Sequence, residues 1–292
     1  MPRPSRLYVQ GTNIHKIHAM TSKHHIIWLD NVDSTNTEAR RRIANIDNLS
    51  VLSARCQTSG RGQRGNTWTS APGENMTFSI VLKFGEEHSR QMQAYDQFAI
   101  SQTASLSVLD FLARHGIEAK IKWPNDIYIG NEKVCGILVE NSLKAELLSW
   151  SIIGIGINVN QTQFPESASN PTSMSLQTGE KYDIEELVAE FMDIFEGYRN
   201  RYLHINGGLG KLRTLYLAQM WRKDTECKFL DFTLLESGHL DGPVNVSKEG
   251  GISQGKIFTG TVRGISDSGQ LVVETAGGGK REFGFKEIGW II

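Results

Sequence analysis

Two short segments concentrate residues whose types and spacing suit anion chemistry. The first is Gly60-Arg61-Gly62-Gln63-Arg64-Gly65, glycines interleaved with arginines. Glycine lets backbone N–H groups come close to a ligand, and guanidinium adds fixed charge in a planar fork that matches phosphate or carboxylate. The second is Lys122-Trp123-Pro124-Asn125-Asp126, where Trp and Pro stiffen the chain beside an amide and a carboxylate. Lys133 follows and opens the apolar run Val134-Cys135-Gly136-Ile137-Leu138-Val139, which ends in Glu140. A lysine in that place either points an ammonium into a pocket or sits solvated at a strand end. These residues alone leave both open.

The glycine segment matches G-x-G-x-x-G, a weak signal taken alone. A dinucleotide site needs a helix to open at the loop, yet Asn66-Thr67-Trp68-Thr69-Ser70-Ala71-Pro72-Gly73 follows and cannot start a long one. A kinase needs His-Arg-Asp and Asp-Phe-Gly, and a P-loop needs G-x-x-x-x-G-K-[ST]; none occurs. What remains is an anion-contacting loop or a tight surface turn with solvated arginines.

The elements that must hold these segments read as α+β. Strands are expected at Ile26–Leu29, Val51–Cys56, Met76–Phe84, Ile127–Ile129, Val134–Glu140 and within Leu147–Val159. Along Met76–Phe84, Phe78, Ile80, Leu82 and Phe84 share one face, with Thr77, Ser79 and Lys83 on the other. Thr35 with Glu38 fits a capping box, so a helix is expected from Asn36 to Ala44. Helical spacing runs through 91–115 to a stop at Gly116. Asp183 and Glu186 cap another helix, a short one follows from Leu209 to Met220, and 160–182 reads as loop. Beyond Trp221 short β runs alternate with turn signals such as Asp267-Ser268-Gly269. The expected organisation is a flexible arm at 1–24, a main domain at 25–222 and a small β module at 223–292.

Composition bounds the class. The chain has 292 residues, a net charge of -1 and 39% hydrophobic residues, an ordinary soluble profile. Near-zero charge argues against a dedicated nucleic-acid binder. Cys56, Cys135 and Cys227 are scattered with no C-x-x-C pair, which predicts reduced thiols and a cytoplasmic protein. No apolar run approaches membrane-spanning length. The arm carries Arg3, Arg6, Lys16 and Lys23 with no acid and no apolar h-region, so it is not read as a secretory signal. His15, His18, His24 and His25 would suit a metal, but a loose tail is the preferred reading.

Taken in order, Ser34-Thr35-Asn36, Gln57-x-x-Gly60-Arg61-Gly62-x-Arg64-Gly65, Lys122-Trp-Pro-Asn-Asp126, Lys133-x-x-Gly136-Ile-Leu-Val-Glu140 and Gly154-Ile-Gly-Ile-Asn158 resemble the biotin–protein ligases over roughly residues 26–290. The resemblance implies a mixed, largely antiparallel sheet of the class II synthetase-like biotin–lipoate ligase fold, with an SH3-like C-terminal barrel. It implies ATP-dependent formation of biotinyl-5′-AMP, then transfer to a lysine of a biotin carrier domain, with magnesium. Ser34, Thr35, Asn36, Gln57, Gly60, Arg61, Trp68, Lys133 and Gly136 would meet biotin, with Ser34, Thr35 and Gln57 on the ureido ring. Thr35 would then serve helix cap and ligand with one oxygen. Arg61, Arg64, Trp68, Asn125, Lys133 and Asn158 would meet ATP, with Asn158 reading the adenine edge. Lys133, Arg61 and Arg64 would carry the charge chemistry. Asp126 would orient Lys133, hold magnesium or deprotonate the acceptor, and the sequence does not choose; no metal ligand set is assigned. In one departure, Gln63 stands where the family often has arginine and cannot supply its charge, so retention of the adenylate is expected to differ or Arg64 to compensate in an active enzyme.

Some relatives in that family repress transcription through an N-terminal helix-turn-helix domain. The segment before residue 26 is not patterned that way, so no operator binding is expected. Dimerisation through sheet edges, common in the family, is a further option. Two other readings remain: a lipoate or octanoate ligase on the same fold, and a non-catalytic biotin-binding scaffold.

Overall fold

The computed structural model describes residues 5–10, 13–18, 23–85, 91–166, 168, 170–233, 244–246, 252–254 and 256–291, with backbone alone for 5–18 and 244–254 and no side chain for Arg64. The first strands are β1 (Ser5–Gln10), β2 (Asn13–His18) and β3 (Ile26–Val32), followed by helix α1 (Thr35–Arg42). Then come β4 (Val51–Gln57), β5 (Met76–Lys83), helix α2 (Phe98–Arg114), β6 (Lys120–Lys122), β7 (Asp126–Ile129), β8 (Glu132–Lys144) and β9 (Leu147–Ile157). All nine strands form one sheet in the order β2-β1-β3-β4-β5-β9-β8-β7-β6. Only the β1–β3 and β3–β4 contacts are parallel, so the sheet is mixed and largely antiparallel as expected.

The arm differs from the loose tail expected of it. β1 and β2 pair antiparallel, and β1 lies parallel to β3 at the sheet edge. Leu7-Tyr8-Val9 has the β-branched and aromatic character that favours a strand; the surrounding basic and polar residues mask it. Of the histidines, His24 bonds Asp193 at 2.7 Å and His25 lies 3.0 Å from the Ser50 hydroxyl. The side chains of His15 and His18 lie outside the described residues, and among the described residues no cluster suits a metal.

Both faces of the sheet are covered, which makes its central strands apolar on both sides. Helices α3 (Met174–Thr178), α4 (Ile184–Tyr198) and α5 (Gly208–Ala218) follow β9. On one face α2 packs against α4 and α5 over Phe78, Ile80, Leu82, Ile153, Ile155 and Ile157. On the other face α1 covers Leu29, Leu52, Ala54, Val81 and Ile152. Thr77 and Ser79, expected on a polar face, are therefore buried. The α4 cap is as expected, with Asp183 accepting from the N–H groups of Glu185 and Glu186. The capping box is not: Ser34 is the N-cap, without a side-chain cap bond. The Thr35 N–H is held instead by Gln57 Oε1 at 2.8 Å, so a tertiary partner replaces the local one.

The C-terminal module holds β10 (Glu226–Asp231), β11 (Val244–Val246), β12 (Ile252–Gln254), β13 (Lys256–Ile265), β14 (Leu271–Thr275), β15 (Lys280–Phe283) and β16 (Ile288–Ile291). Its five-stranded antiparallel sheet, β15-β14-β13-β10-β16, is the SH3-like part. The module is locked to the main domain. Trp123 Nε1 donates to the Gly269 carbonyl at 2.9 Å, Arg213 pairs with Asp267, and the Trp221 and Trp290 rings meet edge-on at 5.2 Å. Among the described residues no helix is long and apolar enough to cross a membrane.

Gly269 closes the β13–β14 turn at φ +86°, and an added Cβ would lie 2.6 Å from the Phe98 ring. Gly269→Val should therefore lower unfolding free energy by roughly 2–4 kcal/mol in urea titration. Gly277→Ala, in open space, should change it by less than about 0.5 kcal/mol. Equal effects would contradict this docking.

Candidate active site

One rung of the sheet explains where a ligand has room. Lys122 pairs with Asp126, Asp126 with Gly136, Gly136 with Gly156, and Gly156 with Thr77. Directly opposed residues in a sheet share a face. Glycines on that face, joined by Gly154 opposite Ser79, leave a trough where side chains would otherwise stand. The resulting cavity measures about 270 Å³ and brings together Ser34, Gln57, Arg61, Trp68, Asp126 and Lys133.

Lys133 reaches this face because of an irregularity in pairing. Ile127 pairs with Cys135 but Tyr128 pairs with Lys133, so β8 carries one extra residue there. Strict alternation would put Lys133 and Gly136 on opposite faces; the bulge puts them on the same one. The Lys133 ammonium lies 2.7 Å from Asp126 Oδ1 and 5.8 Å above the Trp68 ring. Asp126 is thus ion-paired with Lys133. Cys135 sits on the opposite face, where burial pushes its thiol up, so it is no nucleophile.

At the other end, helix α1 presents Ser34, Thr35 and Asn36. The Thr35 hydroxyl is 3.3 Å from Gln57 Oε1 and 2.7 Å from Ser79 Oγ. Asn36 donates to Glu140 at 2.9 Å, and its Oδ1 lies 2.6 Å from Ser79. Thr35 and Asn36 are thus committed to a buried network. No described residue accepts from Gln57 Nε2 or bonds the Ser34 hydroxyl, so a donor and a donor–acceptor remain for a ligand.

The glycine segment folds as a narrow hairpin. Trp68 N–H donates to Gly60 O at 2.9 Å, and Arg61 bridges Thr67. Gly60 itself lies outside the main cavity wall. A Cβ there would lie 2.2 Å from Trp68 O, so glycine is required by chain packing. The hairpin drops the Trp68 ring onto the glycine floor, where a Cβ at Gly156 would be 2.4 Å from it. Trp68 Nε1 is buried without a hydrogen-bond partner. Arg61 reaches Glu140 at 3.1 Å, and Arg40 reaches the same carboxylate at 2.6 Å. The side chain of Arg64 lies outside the described residues.

Two residues expected at ATP also make hydrogen bonds within the chain. Asn125 lines the cavity, but its amide donates to Ile137 O at 2.6 Å and clamps the turn before β7. Asn158 lies off the main cavity wall and donates to Thr172 O at 2.9 Å. Thr172 N–H in turn holds Lys133 O at 2.9 Å, so Asn158 backs the bulge. Sequence reading missed Ser79, Glu140 as the partner of Arg61, and Ile288, Gly289 and Trp290, which close the cavity from β16. The only sequence cue for Glu140 is its charge at the end of an apolar strand. Ser79 and Trp290 carry none, because register and domain docking place them.

Gly156→Ala should push the Trp68 ring off the floor. Backbone amides of residues 60–68 should then lose about tenfold or more hydrogen-exchange protection while those of α2 keep theirs. Unchanged protection would mean the ring does not rest there.

The sequence profile of the Biotin/lipoate A/B protein ligase family matches residues 28–158, and that of the Biotin protein ligase C terminal domain matches 239–285. The Bifunctional ligase/repressor BirA of Bacillus spizizenii is 30% identical over 263 residues, covering 88% of this chain and 71% of the relative. The Biotin--[acetyl-CoA-carboxylase] ligase of Paracoccus denitrificans is 28% identical over 260 residues, covering 86% of this chain and 94% of the relative. Among solved structures, the biotin protein ligase from Aquifex aeolicus in complex with biotin and ATP superposes with a TM-score of 0.67 at 25% identity, covering 91% of this chain and 98% of that one. The matches span both the main domain and the SH3-like module, and the chain belongs to the biotin protein ligases of the biotin/lipoate A/B protein ligase family.

Proposed function

We propose that this protein is an ATP-dependent biotin–protein ligase acting in the cytoplasm on the biotin carrier domain of a biotin-dependent carboxylase. The supporting observation is a single cavity with a neutral hydrogen-bonding end at Ser34 and Gln57 and a cationic end at Lys133. A ureido ring has two N–H donors and one carbonyl. The Ser34 hydroxyl accepts from the first kind, and Gln57 Nε2 donates to the second. The dithiolane of lipoate offers neither group, so these atoms favour biotin.

In the first step the biotin carboxylate attacks the α-phosphate, an O–P bond forms, and the bond to the β-phosphate breaks. Two anions are brought together, and Lys133, preorganised by Asp126, offsets the charge that develops. Arg61 is held by Glu140 beside the same space and adds positive potential. In the second step the acceptor amine attacks the acyl carbon and AMP leaves. Trp68 occupies the floor, so a bound ligand must displace the ring, which then covers it and excludes water.

Magnesium would enter with ATP. Among the described residues Asp126 is the only carboxylate on the cavity wall and is paired with Lys133, and no cluster forms a metal cage. The residues present therefore do not build a dedicated magnesium site, and no step is assigned to one.

Lys133→Ala should reduce biotin-dependent ATP–pyrophosphate exchange by about 100-fold or more, with thermal unfolding close to wild type because the side chain borders solvent. Near-normal exchange would remove Lys133 from the chemistry.

A further inference from the structure

Lys122 is the cation of the Lys-Trp-Pro-Asn-Asp stretch to which the activation step gives no task. The β6–β7 register stands it opposite Asp126, on the rung that carries Gly136 and Gly156. It therefore faces the ligand trough, and it lines the same cavity as Asp126 and Lys133. Its surroundings are unusual for an ammonium. Nζ lies 3.0 Å from the Tyr128 hydroxyl, 4.5 Å from the centre of the Tyr128 ring and 5.7 Å from that of Trp221. Asp126 gives its carboxylate to Lys133, and Lys122 forms no ion pair among the described residues. Two lysines thus share one carboxylate, and the aromatic-walled one lacks the pair.

We propose that Lys122, as the neutral amine, is the base that takes a proton from the acceptor lysine during transfer; this rests on the ligase reading above. The acceptor arrives as R–NH3+. The Lys122 lone pair takes one proton and becomes an ammonium. The freed R–NH2 lone pair forms the C–N bond at the acyl carbon. The bond between the acyl carbon and the oxygen that bridges to phosphorus then breaks, and AMP leaves with that electron pair on its phosphate oxygen. The nitrogen loses its second proton to water or to the departing phosphate as the adduct collapses, and Lys122 later returns its own to solvent.

The charged groups around Lys122 set how readily it takes that role. Burial against the rings disfavours its charged form, Asp126 on β7 favours it, and Lys133 on β8 and Arg222 after α5 oppose it; the balance brings the amine down to about 8. The Tyr128 phenol is pushed up by burial and by Asp126, so it stays protonated and can donate to the neutral amine. A carboxylate near 3.9 is in general a poor match for an amine near 10.4, whereas a depressed lysine is closer.

The test uses the full chain with Lys122→Met and Lys122→Arg, the latter keeping a long cationic side chain while being unable to accept a proton. Three reactions are compared: ATP–pyrophosphate exchange, single-turnover transfer from enzyme-bound biotinyl-AMP to carrier lysine, and attack on that adenylate by hydroxylamine, which is uncharged at neutral pH and needs no base. Expected are exchange within about threefold of wild type, carrier transfer down about 100-fold and hydroxylamine attack unchanged. Wild-type transfer should rise with pH and level off above about 8, because the neutral amine is the active form; both variants should lose that break. Equal losses towards carrier and hydroxylamine, or a retained break, would overturn the assignment. A wild type without pyrophosphate exchange would instead overturn the ligase reading and this step with it.

Discussion

The extra residue in β8 turns Lys133 toward the face that carries Gly136, and the remaining geometry of the cavity follows from that turn. A regular strand would send the lysine into the apolar core beneath α2. There an ammonium would meet Cys135 and Ile137 rather than a carboxylate, at a cost of several kcal/mol unless neutralised. With the bulge, Lys133 meets Asp126 across one ladder step and stays on the same surface as the glycine floor. The loop at 170–172 reinforces it, because backbone bonds on both sides of Lys133 lock to Asn170 and Thr172.

The cavity divides its chemistry along that floor. At the α1 end the polar groups mostly satisfy one another, through Ser79, Thr35, Asn36 and Glu140. Such a network is stiff because every alternative leaves a buried group unpaired. At the β6–β8 end, charge is abundant and only partly paired. Trp68 lies between the two with an unpartnered Nε1, an arrangement whose cost a ligand acceptor would relieve. The C-terminal module completes the enclosure with Ile288, Gly289 and Trp290, so the small domain forms part of the site wall.

Much of this was legible from residue order. The long strands and α4 carry period-2 or period-3.6 patterns or strong caps, and the structure places them within a few residues of expectation, whereas α2 starts only at Phe98, after a 3-10 turn at Ala94–Asp96 in the segment expected to be helical from residue 91. The glycine–arginine and Lys-Trp-Pro-Asn-Asp segments each carried residue types suited to an anion, and both contribute to the wall of one cavity. The failures have physical causes. The Thr35 capping box lost to Gln57, a partner across the sheet that no local pattern encodes. The arm's strands pair at an edge, where polar residues are tolerated on both faces and apolar alternation is weak. The support that Asn158 gives the bulge from behind has no local signature either. The bulge itself depends on pairing register, which alternation within one strand cannot report.

The central claim is that Lys133 and the α1 end address one ligand across the glycine floor. It is tested most directly by a crystal structure of the protein with a non-hydrolysable biotinyl-adenylate. The account predicts the ureido group within hydrogen-bond distance of Ser34 and Gln57, the bicyclic ring over Gly136 and Gly156, Trp68 lifted onto the ligand, and the Lys133 ammonium on the acyl-phosphate linkage. A ligand bound elsewhere, or one that leaves Trp68 on the floor and Lys133 turned away from it, would contradict it.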